Sequence, residues 1–161
     1  MSRRILLVDD EPAVLFAYRK VLQRHNFIVD AIETKDETIQ LLEENTYDVA
    51  ILDLRLSGEA SEEGLDLIRY IKNHQSETVV IMITAFGSPE IRERAYRLGA
   101  DHYFEKPVST YTIREALHTS GVIFPDAHEN SMVDGAPISG LNTTFDRAAP
   151  CSDQSLQTPP R

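Results

Sequence analysis

The sequence predicts an α/β fold in which five parallel strands form one sheet and five helices cover its two faces. Two observations lead to this prediction. Short apolar runs, which are typical of strands buried on both faces, alternate with longer segments whose apolar residues recur at helical spacing. Parallel strands joined through helices require right-handed crossovers, and these distribute the helices over both faces of the sheet.

The first strand is predicted at residues 5–8, an apolar run that ends in acidic residues. Pro12 suits the first turn of the helix that follows. The apolar stripe of this helix consists of Val14, Leu15, Tyr18, Val21 and Leu22. The second strand is predicted at residues 27–32. Thr34 and Glu37 then form a capping-box pattern, which opens a helix that runs to about residue 44. Its inward residues are Ile39, Leu41 and Leu42.

The third strand is predicted at residues 49–52, an apolar run too short for a helix, and Asp53 follows it directly. A polar loop leads to a helix whose inward residues are Leu65, Leu67, Ile68 and Ile71. The fourth strand is predicted at residues 78–83. Ser88 as N-cap and Pro89 at the first helical position begin the next helix, and Gly99 is its expected C-cap. Its core side carries Ile91, Ala95 and Leu98.

The fifth strand, residues 101–105, is short and less apolar than the others. The last helix is predicted at residues 109–119, with Ile113, Ala116 and Leu117 inward. The flavodoxin-like strand order 2-1-3-4-5 places the first and third strands, both followed by Asp, side by side at the switch point of the sheet. Open α/β sheets bind ligands at this point, so we predict that order.

The length of 161 residues allows one domain, predicted at residues 1–120, and a tail at residues 121–161. The tail lacks lysine, carries five of the eight prolines and has no lasting apolar period, so we expect it to be mostly disordered. It is too short for a helix-turn-helix module, and we expect no output domain. The alternatives are an uninformative extension or a truncated linker, and residues 122–124 docked on the domain.

Composition and charge exclude several classes of function. A net charge of -10 disfavours direct binding to nucleic acid or to an anionic membrane. No apolar run approaches the roughly 18 residues of a membrane span, and the N-terminus does not resemble a secretory signal. The single cysteine, Cys151, excludes an internal disulfide and fits a reducing compartment. We therefore expect a cytoplasmic protein.

Charged and hydroxyl side chains follow several of the predicted strands: Asp9, Asp10, Asp53, Thr84 and Lys106. Each has an ordinary explanation by itself, such as a helix dipole partner, a strand end or a solvated charge. In a parallel sheet we expect these side chains to meet at one edge. At this edge, each pair of carboxylates roughly 4 Å apart would repel by about 4 kcal/mol. Oxygen ligands with neither Cys nor His favour Mg²⁺ over Zn²⁺. The set is typical of a phosphoryl-accepting site in which a carboxylate is the nucleophile.

Residues 3–119 resemble the receiver domain of two-component response regulators. The motifs that carry this resemblance are Asp9–Asp10, Asp53, Thr84 with Ala85, and Lys106 with Pro107, each after its strand. The resemblance implies that Asp53 is phosphorylated by a sensor histidine kinase or a His-containing phosphotransfer protein. It implies Mg²⁺ ligation by Asp10, Asp53 and the backbone carbonyl of Arg55, with Asp9 acting through water.

The same resemblance assigns a switch. Thr84 moves toward the phosphoryl group while the ring of Tyr103 turns inward, and Lys106 binds the phosphate. The peptide bond between Lys106 and Pro107 is then cis. The alternative for Tyr103 is an ordinary half-buried strand aromatic.

The loop after Asp53 departs from the family pattern. Leu56 and Ser57 replace the usual Met-Pro, and residues 58–63 lengthen the loop before Gly64. Losing proline should loosen this loop, and the added carboxylates sharpen the local negative potential. We expect altered phosphotransfer or dephosphorylation rates, and shortening the loop tests this.

The predicted function is a phosphorylation-dependent switch, rather than an enzyme, that takes part in its own phosphorylation and autodephosphorylation and controls a downstream protein of unknown identity. A homodimer through the fourth helix, fifth strand and fifth helix would use Asp101 with Arg94 or Arg97 and Arg114; alternatively these are solvated surface charges. A phosphatase-like enzyme is disfavoured because Arg55 stands where such enzymes carry a second acid. A flavodoxin-type carrier is disfavoured because an acidic pair follows the first strand. A phosphate shuttle in a multistep relay stays open.

Overall fold

A computed structural model describes residues 2–58 and 60–122, which form alternating strands and helices. The strands are β1 (Arg4–Val8), β2 (Ile28–Ile32), β3 (Val49–Leu52), β4 (Val79–Thr84) and β5 (His102–Glu105). The helices are α1 (Pro12–Gln23), α2 (Lys35–Glu44), α3 (Glu63–His74), α4 (Pro89–Leu98) and α5 (Thr110–Thr119).

All strand pairs are parallel, and the sheet has the order β2-β1-β3-β4-β5. The predicted fold class and strand order are therefore confirmed. Val8 and Leu52, the last residues of β1 and β3, pair with each other. The backbone segments that follow these two strands therefore leave the sheet side by side. This register brings the residues after these two strands to one point.

Two apolar cores lie on opposite faces of the sheet because successive strand side chains point to opposite sides. One core joins Leu6, Leu52 and Met82 to α2, α3 and α4. The other joins Ile51 and its neighbours to α1 and α5. Strands buried on both faces need apolar residues at every position, which explains the continuous runs in the sequence.

Several element ends differ from the predicted ones by one residue. Thr78 precedes β4 because its hydroxyl donates to the Tyr47 carbonyl at 2.7 Å, outside the ladder. Thr84 belongs to β4 because it pairs with Glu105 across the sheet. Asp101 lies before β5, where its carboxylate accepts the Val80 N–H at 2.8 Å.

The predicted helix signals are present. Thr34 and Ser88 accept hydrogen bonds from the first turns of α2 and α4, and Pro89 opens α4. Gly99 ends α4 in the left-handed conformation with φ 109°. Ser109 caps α5 rather than belonging to it.

Val122, the last described residue, is 2% exposed and packs in the core beneath α1 and α5. Docking of residues 122–124, the alternative to disorder, is thus observed at Val122. The tail predicted to be mostly disordered, residues 121–161, therefore begins with a residue packed in the core, and its residues 123–161 lie outside the described residues. Within the part of the chain that the structure describes, no helix has the length and apolar character needed to cross a membrane.

Candidate functional site

Three carboxylates meet where β1 and β3 end. The N–H of Asp53 donates to the Val8 carbonyl at 2.9 Å, so the ladder between these strands continues to the start of the site. Carboxylate oxygens of Asp9, Asp10 and Asp53 all lie within 4.8 Å of one another. Asp9 and Asp53 are buried, whereas Asp10 is exposed. The acidic cluster predicted from the strand ends therefore forms.

The Asp53 side chain is held from two sides. Its Oδ1 accepts the backbone N–H of Leu54 at 2.6 Å, and its Oδ2 accepts the Lys106 ammonium at 3.0 Å. Behind it, Gly64 donates its N–H to the Leu54 carbonyl at 2.9 Å. A Cβ at Gly64 would overlap the Asp53 carbonyl oxygen. The start of α3 can therefore pack this closely against the end of β3 only because residue 64 is glycine.

Lys106 joins the cluster from the end of β5. Its ammonium lies 2.7 Å from Asp9 Oδ2, 3.0 Å from Asp53 Oδ2 and 3.6 Å from Glu11 Oε1. Burial lowers the pKa of Lys106, but the hydrogen bonds to the two aspartates outweigh burial and leave the pKa above its ordinary value. The Lys106 N–H donates to the Thr84 carbonyl at 2.9 Å, which fixes the end of β5 against β4. The peptide bond between Lys106 and Pro107 is cis.

The donor set fits a divalent cation. Burial raises the pKa of Asp9 above its ordinary value, although the Lys106 hydrogen bond opposes this. If all three carboxyls are ionised, the Lys106 ammonium neutralises one of them and two negative charges remain. Exclusively oxygen donors, with one exposed carboxylate that leaves room for water, match the preference of Mg²⁺.

Thr84 and Tyr103 lie on neighbouring strands beside the cluster. Thr84 is fully buried, and its hydroxyl accepts the Phe86 N–H at 3.1 Å. Tyr103 is 5% exposed, with the Arg92 guanidinium 5.2 Å from its ring centroid. Its hydroxyl is buried and makes no hydrogen bond of regular geometry with the described residues, and burial raises its pKa. Tyr103 thus points inward and is buried, whereas the alternative interpretation expected a half-buried strand aromatic. A switch that involves Thr84 and Tyr103 stays a prediction.

The structure adds residues that the sequence analysis did not include. A cavity of about 180 Å³ opens beside Asp53, lined by Asp10, Glu11, Asp53, Arg55, Gly58, Ala85 and Phe86. The Arg55 guanidinium lies over the Phe86 ring, 3.6 Å from its centroid. The sequence predicted a role at the metal site for the backbone carbonyl of Arg55, but no contact for its guanidinium. Phe86 could have been noticed in the sequence, because it is an aromatic residue in the loop directly after β4, a strand that contributes Thr84 to the site.

The residues proposed for a dimer have partners within the chain. Asp101 forms an ion pair with Lys72 at 2.9 Å. Arg94 forms one with Glu62, and Arg97 bonds Glu93 on its own helix. Intersubunit ion pairs would therefore compete with bonds already made, and the dimer stays a prediction.

Comparison with known proteins matches this architecture. A family model for the response regulator receiver domain matches residues 5–118. The chain is 36% identical over 106 residues to the transcriptional regulatory protein ResD of Bacillus subtilis, covering 66% of this chain and 42% of ResD. It is 34% identical over 121 residues to the response regulator protein PilR of Pseudomonas aeruginosa, covering 74% of this chain and 26% of PilR. The chain thus spans less than half the length of either relative.

Solved structures give the same match. A CheY-like response regulator receiver domain protein from Methanospirillum hungatei has a TM-score of 0.67 at 27% identity, over 76% of this chain and 98% of that one. A response regulator protein from Burkholderia pseudomallei, crystallised with a phosphorylated aspartic acid, a calcium ion and citrate, has a TM-score of 0.68 at 26% identity. That match covers 75% of this chain and 69% of the other.

Proposed function

The chain belongs to the response regulator receiver domain family, and on that premise we propose that it accepts a phosphoryl group on Asp53. The donor is a sensor histidine kinase or a His-containing phosphotransfer protein. The observation that carries the proposal is the position of the Lys106 ammonium, within hydrogen-bond distance of both Asp53 and Asp9 at the edge of the acidic cluster. A cation in this place is suited to receive the charge that a phosphoryl group brings.

The transfer is a nucleophilic displacement at phosphorus. A carboxylate oxygen of Asp53 forms the new P–O bond while the P–N bond to the donor histidine breaks, and the imidazole keeps the electron pair. Lys106 donates to a phosphoryl oxygen in the product. The Thr84 hydroxyl accepts from Phe86 and therefore still has its own hydrogen to donate to another phosphoryl oxygen.

Asp10, Asp53 and the Arg55 backbone carbonyl are the proposed Mg²⁺ ligands, and Asp9 acts through a water molecule. A bound Mg²⁺ supplies neutralisation of the negative charge that accumulates at the cluster. Asp10 and Asp53 both line the cavity, so a cation held by them would lie beside the proposed acceptor. The phosphorylated aspartate and calcium ion described for the Burkholderia relative support this assignment.

The phosphorylated domain, which we place within residues 1–120, acts as a switch rather than a turnover enzyme. Tyr103 and Thr84 are the proposed switch pair. Tyr103 is packed so tightly against the loop before α4 that a Cβ at Gly87 would lie 2.6 Å from its hydroxyl. Movement of this loop, which leads into α4, would therefore displace the ring, and a downstream protein would recognise the altered surface. We also propose autodephosphorylation, and a homodimer through α4, β5 and α5 as one readout.

Intact-mass spectrometry after incubation with acetyl phosphate tests the proposal. In the presence of Mg²⁺, we expect the wild-type chain to gain the mass of one phosphoryl group. Without Mg²⁺, we expect its mass to stay unchanged. Asp53→Asn should gain none under either condition. Wild-type chain that stays unmodified, or Asp53→Asn that is modified equally, would overturn the assignment of Asp53 as acceptor.

A further inference from the structure

One guanidinium at the cavity beside Asp53 has no acidic partner among the described residues. Three carboxylates line this cavity together with Arg55, namely those of Asp10, Glu11 and Asp53. Within residues 2–58 and 60–122, however, no carboxylate forms an ion pair with the Arg55 side chain. The guanidinium carbon lies instead over the Phe86 ring, 3.6 Å from the ring centroid. The N–H donors of Arg55 are therefore not used by the acidic residues that line the same cavity.

The other cationic side chains near the site are engaged by carboxylates. The Lys106 ammonium donates to two of the aspartates of the acidic cluster. Arg92, in the first turns of α4, forms an ion pair with Glu105 at 3.3 Å. Within the described lining of the cavity, Arg55 is the only cationic residue. It is therefore the cation there that a ligand from solvent can engage without breaking an ion pair.

Stacking on Phe86 fixes the plane of the Arg55 guanidinium and leaves its edge free. A separation of 3.6 Å between the guanidinium carbon and the ring centroid is van der Waals contact, so one flat face of the guanidinium is covered. The N–H donors lie in the plane of the group and point away from this face. A guanidinium held in this way can bond two oxygens of one phosphoryl group through two parallel N–H···O bonds.

The cavity has room for the group that the guanidinium would bind. Its volume of about 180 Å³ holds several water molecules, which is enough for a phosphoryl group. Because Asp53 lines the cavity, a phosphoryl group inside it would lie beside the proposed acceptor. Its oxygens would also meet the carboxylates of Asp10 and Glu11, so its binding requires cationic donors in the same space.

We propose that the Arg55 guanidinium, oriented by the Phe86 ring, binds the anionic oxygens of the incoming phosphoryl group and so determines how well a phosphoryl donor is captured beside Asp53. The inference rests on the proposed function of Asp53. This role belongs to the side chain of Arg55 and is separate from the metal ligation proposed for its backbone carbonyl. Arg55 neither gives nor takes a proton, and Phe86 acts through Arg55 as a positioning residue.

Phosphorylation by acetyl phosphate at a saturating Mg²⁺ concentration tests the role of Arg55. Arg55→Gln should lower the second-order rate constant about tenfold, which corresponds to about 1.4 kcal/mol. Arg55→Lys keeps the charge but loses the planar fork, so its rate constant should fall less. Phe86→Leu keeps an apolar side chain without an aromatic face and should lower the rate constant about two- to fivefold. Adding Phe86→Leu to Arg55→Gln should cause no further loss, because the ring acts through the guanidinium.

A second donor shows which part of the donor the guanidinium binds. Phosphoimidazole carries its phosphoryl group on an imidazole nitrogen and so represents the phosphohistidine of a protein donor. Arg55→Gln should slow its reaction by the same factor, because the two donors share the phosphoryl group and differ in the leaving group. An effect confined to acetyl phosphate would overturn the assignment of Arg55 to the phosphoryl group.

Arg69→Gln is the matched control, because Arg69 is an exposed arginine of α3 that does not line the cavity. It removes the same charge from the protein, and its rate constant should stay at the wild-type value. Titration with inorganic phosphate at constant ionic strength provides a readout that is independent of phosphoryl transfer. In a proton–nitrogen NMR spectrum, the Nε–H signal of Arg55 should shift and that of Arg69 should not. In Phe86→Leu, the shift of the Arg55 signal should require more phosphate.

The outcomes separate this inference from the proposed function. If the wild-type chain takes up no phosphoryl group on Asp53, the proposed function fails and this inference fails with it. If the wild type is phosphorylated but Arg55→Gln reacts as fast as Arg69→Gln, or phosphate leaves the Arg55 signal unmoved, only the role of Arg55 is overturned.

Discussion

Gly64→Ala is expected to destabilise the domain and to slow its phosphorylation. The added methyl group would overlap the Asp53 carbonyl oxygen and lie 2.8 Å from Leu54 Cα and 2.9 Å from the Asp53 carbonyl carbon. All three atoms are backbone atoms at the end of a central strand, so no flexible side chain can move aside. Either α3 or the Asp53 strand end must shift.

The magnitude follows from two opposing effects. Overpacking costs about 1–3 kcal/mol, and a clash with backbone lies at the upper end of this range. Alanine within the first turn of α3 recovers up to about 1 kcal/mol of helix propensity. We therefore expect the free energy of unfolding to fall by about 2 kcal/mol.

Urea unfolding measures this change as a lower midpoint at an unchanged slope. Gly121→Ala is the matched control, because it strains a backbone at φ 75° but meets no atom within 4 Å. It should cost about 1 kcal/mol through strain alone and leave α3 in place. Phosphorylation by acetyl phosphate should slow in Gly64→Ala and not in Gly121→Ala. A Gly64→Ala variant as stable as the wild type would refute the argument from overlap.

Three further predictions concern separate parts of the domain. Phe86→Ala removes the ring beneath the Arg55 guanidinium at the mouth of the cavity beside Asp53. This change should expose the phosphorylated aspartate to water and shorten its lifetime, which a phosphate-release assay measures. An unchanged lifetime would contradict shielding of the phosphoryl group by the ring. Tyr47→Phe removes the hydroxyl that donates to Asp30 at 2.9 Å and should cost about 1 kcal/mol in urea unfolding. Burial lowers the pKa of the His25 imidazole below its ordinary value of 6.5, so this imidazole binds a proton more tightly in the unfolded chain than in the folded one. The free energy of unfolding should therefore fall as the pH falls below about 6.5. His25→Gln should flatten this part of the stability profile, and an identical profile would rule out the contribution.

Local pattern was enough to predict the sheet and the residues that follow its strands. The runs at β1 and β3 are apolar at every position because both faces of these strands are covered, and a parallel sheet then brings Asp9 and Asp53 to the same edge. The caps at Thr34 and Ser88 were equally predictable because they join residues three apart. Strand ends were less certain, since Thr78 leaves the ladder for a hydrogen bond to Tyr47, which is distant in sequence.

The side-chain partners required the tertiary structure. Lys106 reaches Asp9 across 97 positions of sequence, and Arg94 reaches Glu62 across 32. Neither separation has a period that a sequence pattern could reveal. The same holds for Arg55, whose guanidinium lies over Phe86 from a different loop. The sequence by itself determined which backbone segments form the site, because strand periodicity is local. Only the folded chain decided which charges meet there, because those contacts depend on loop paths and side-chain conformations set by distant residues.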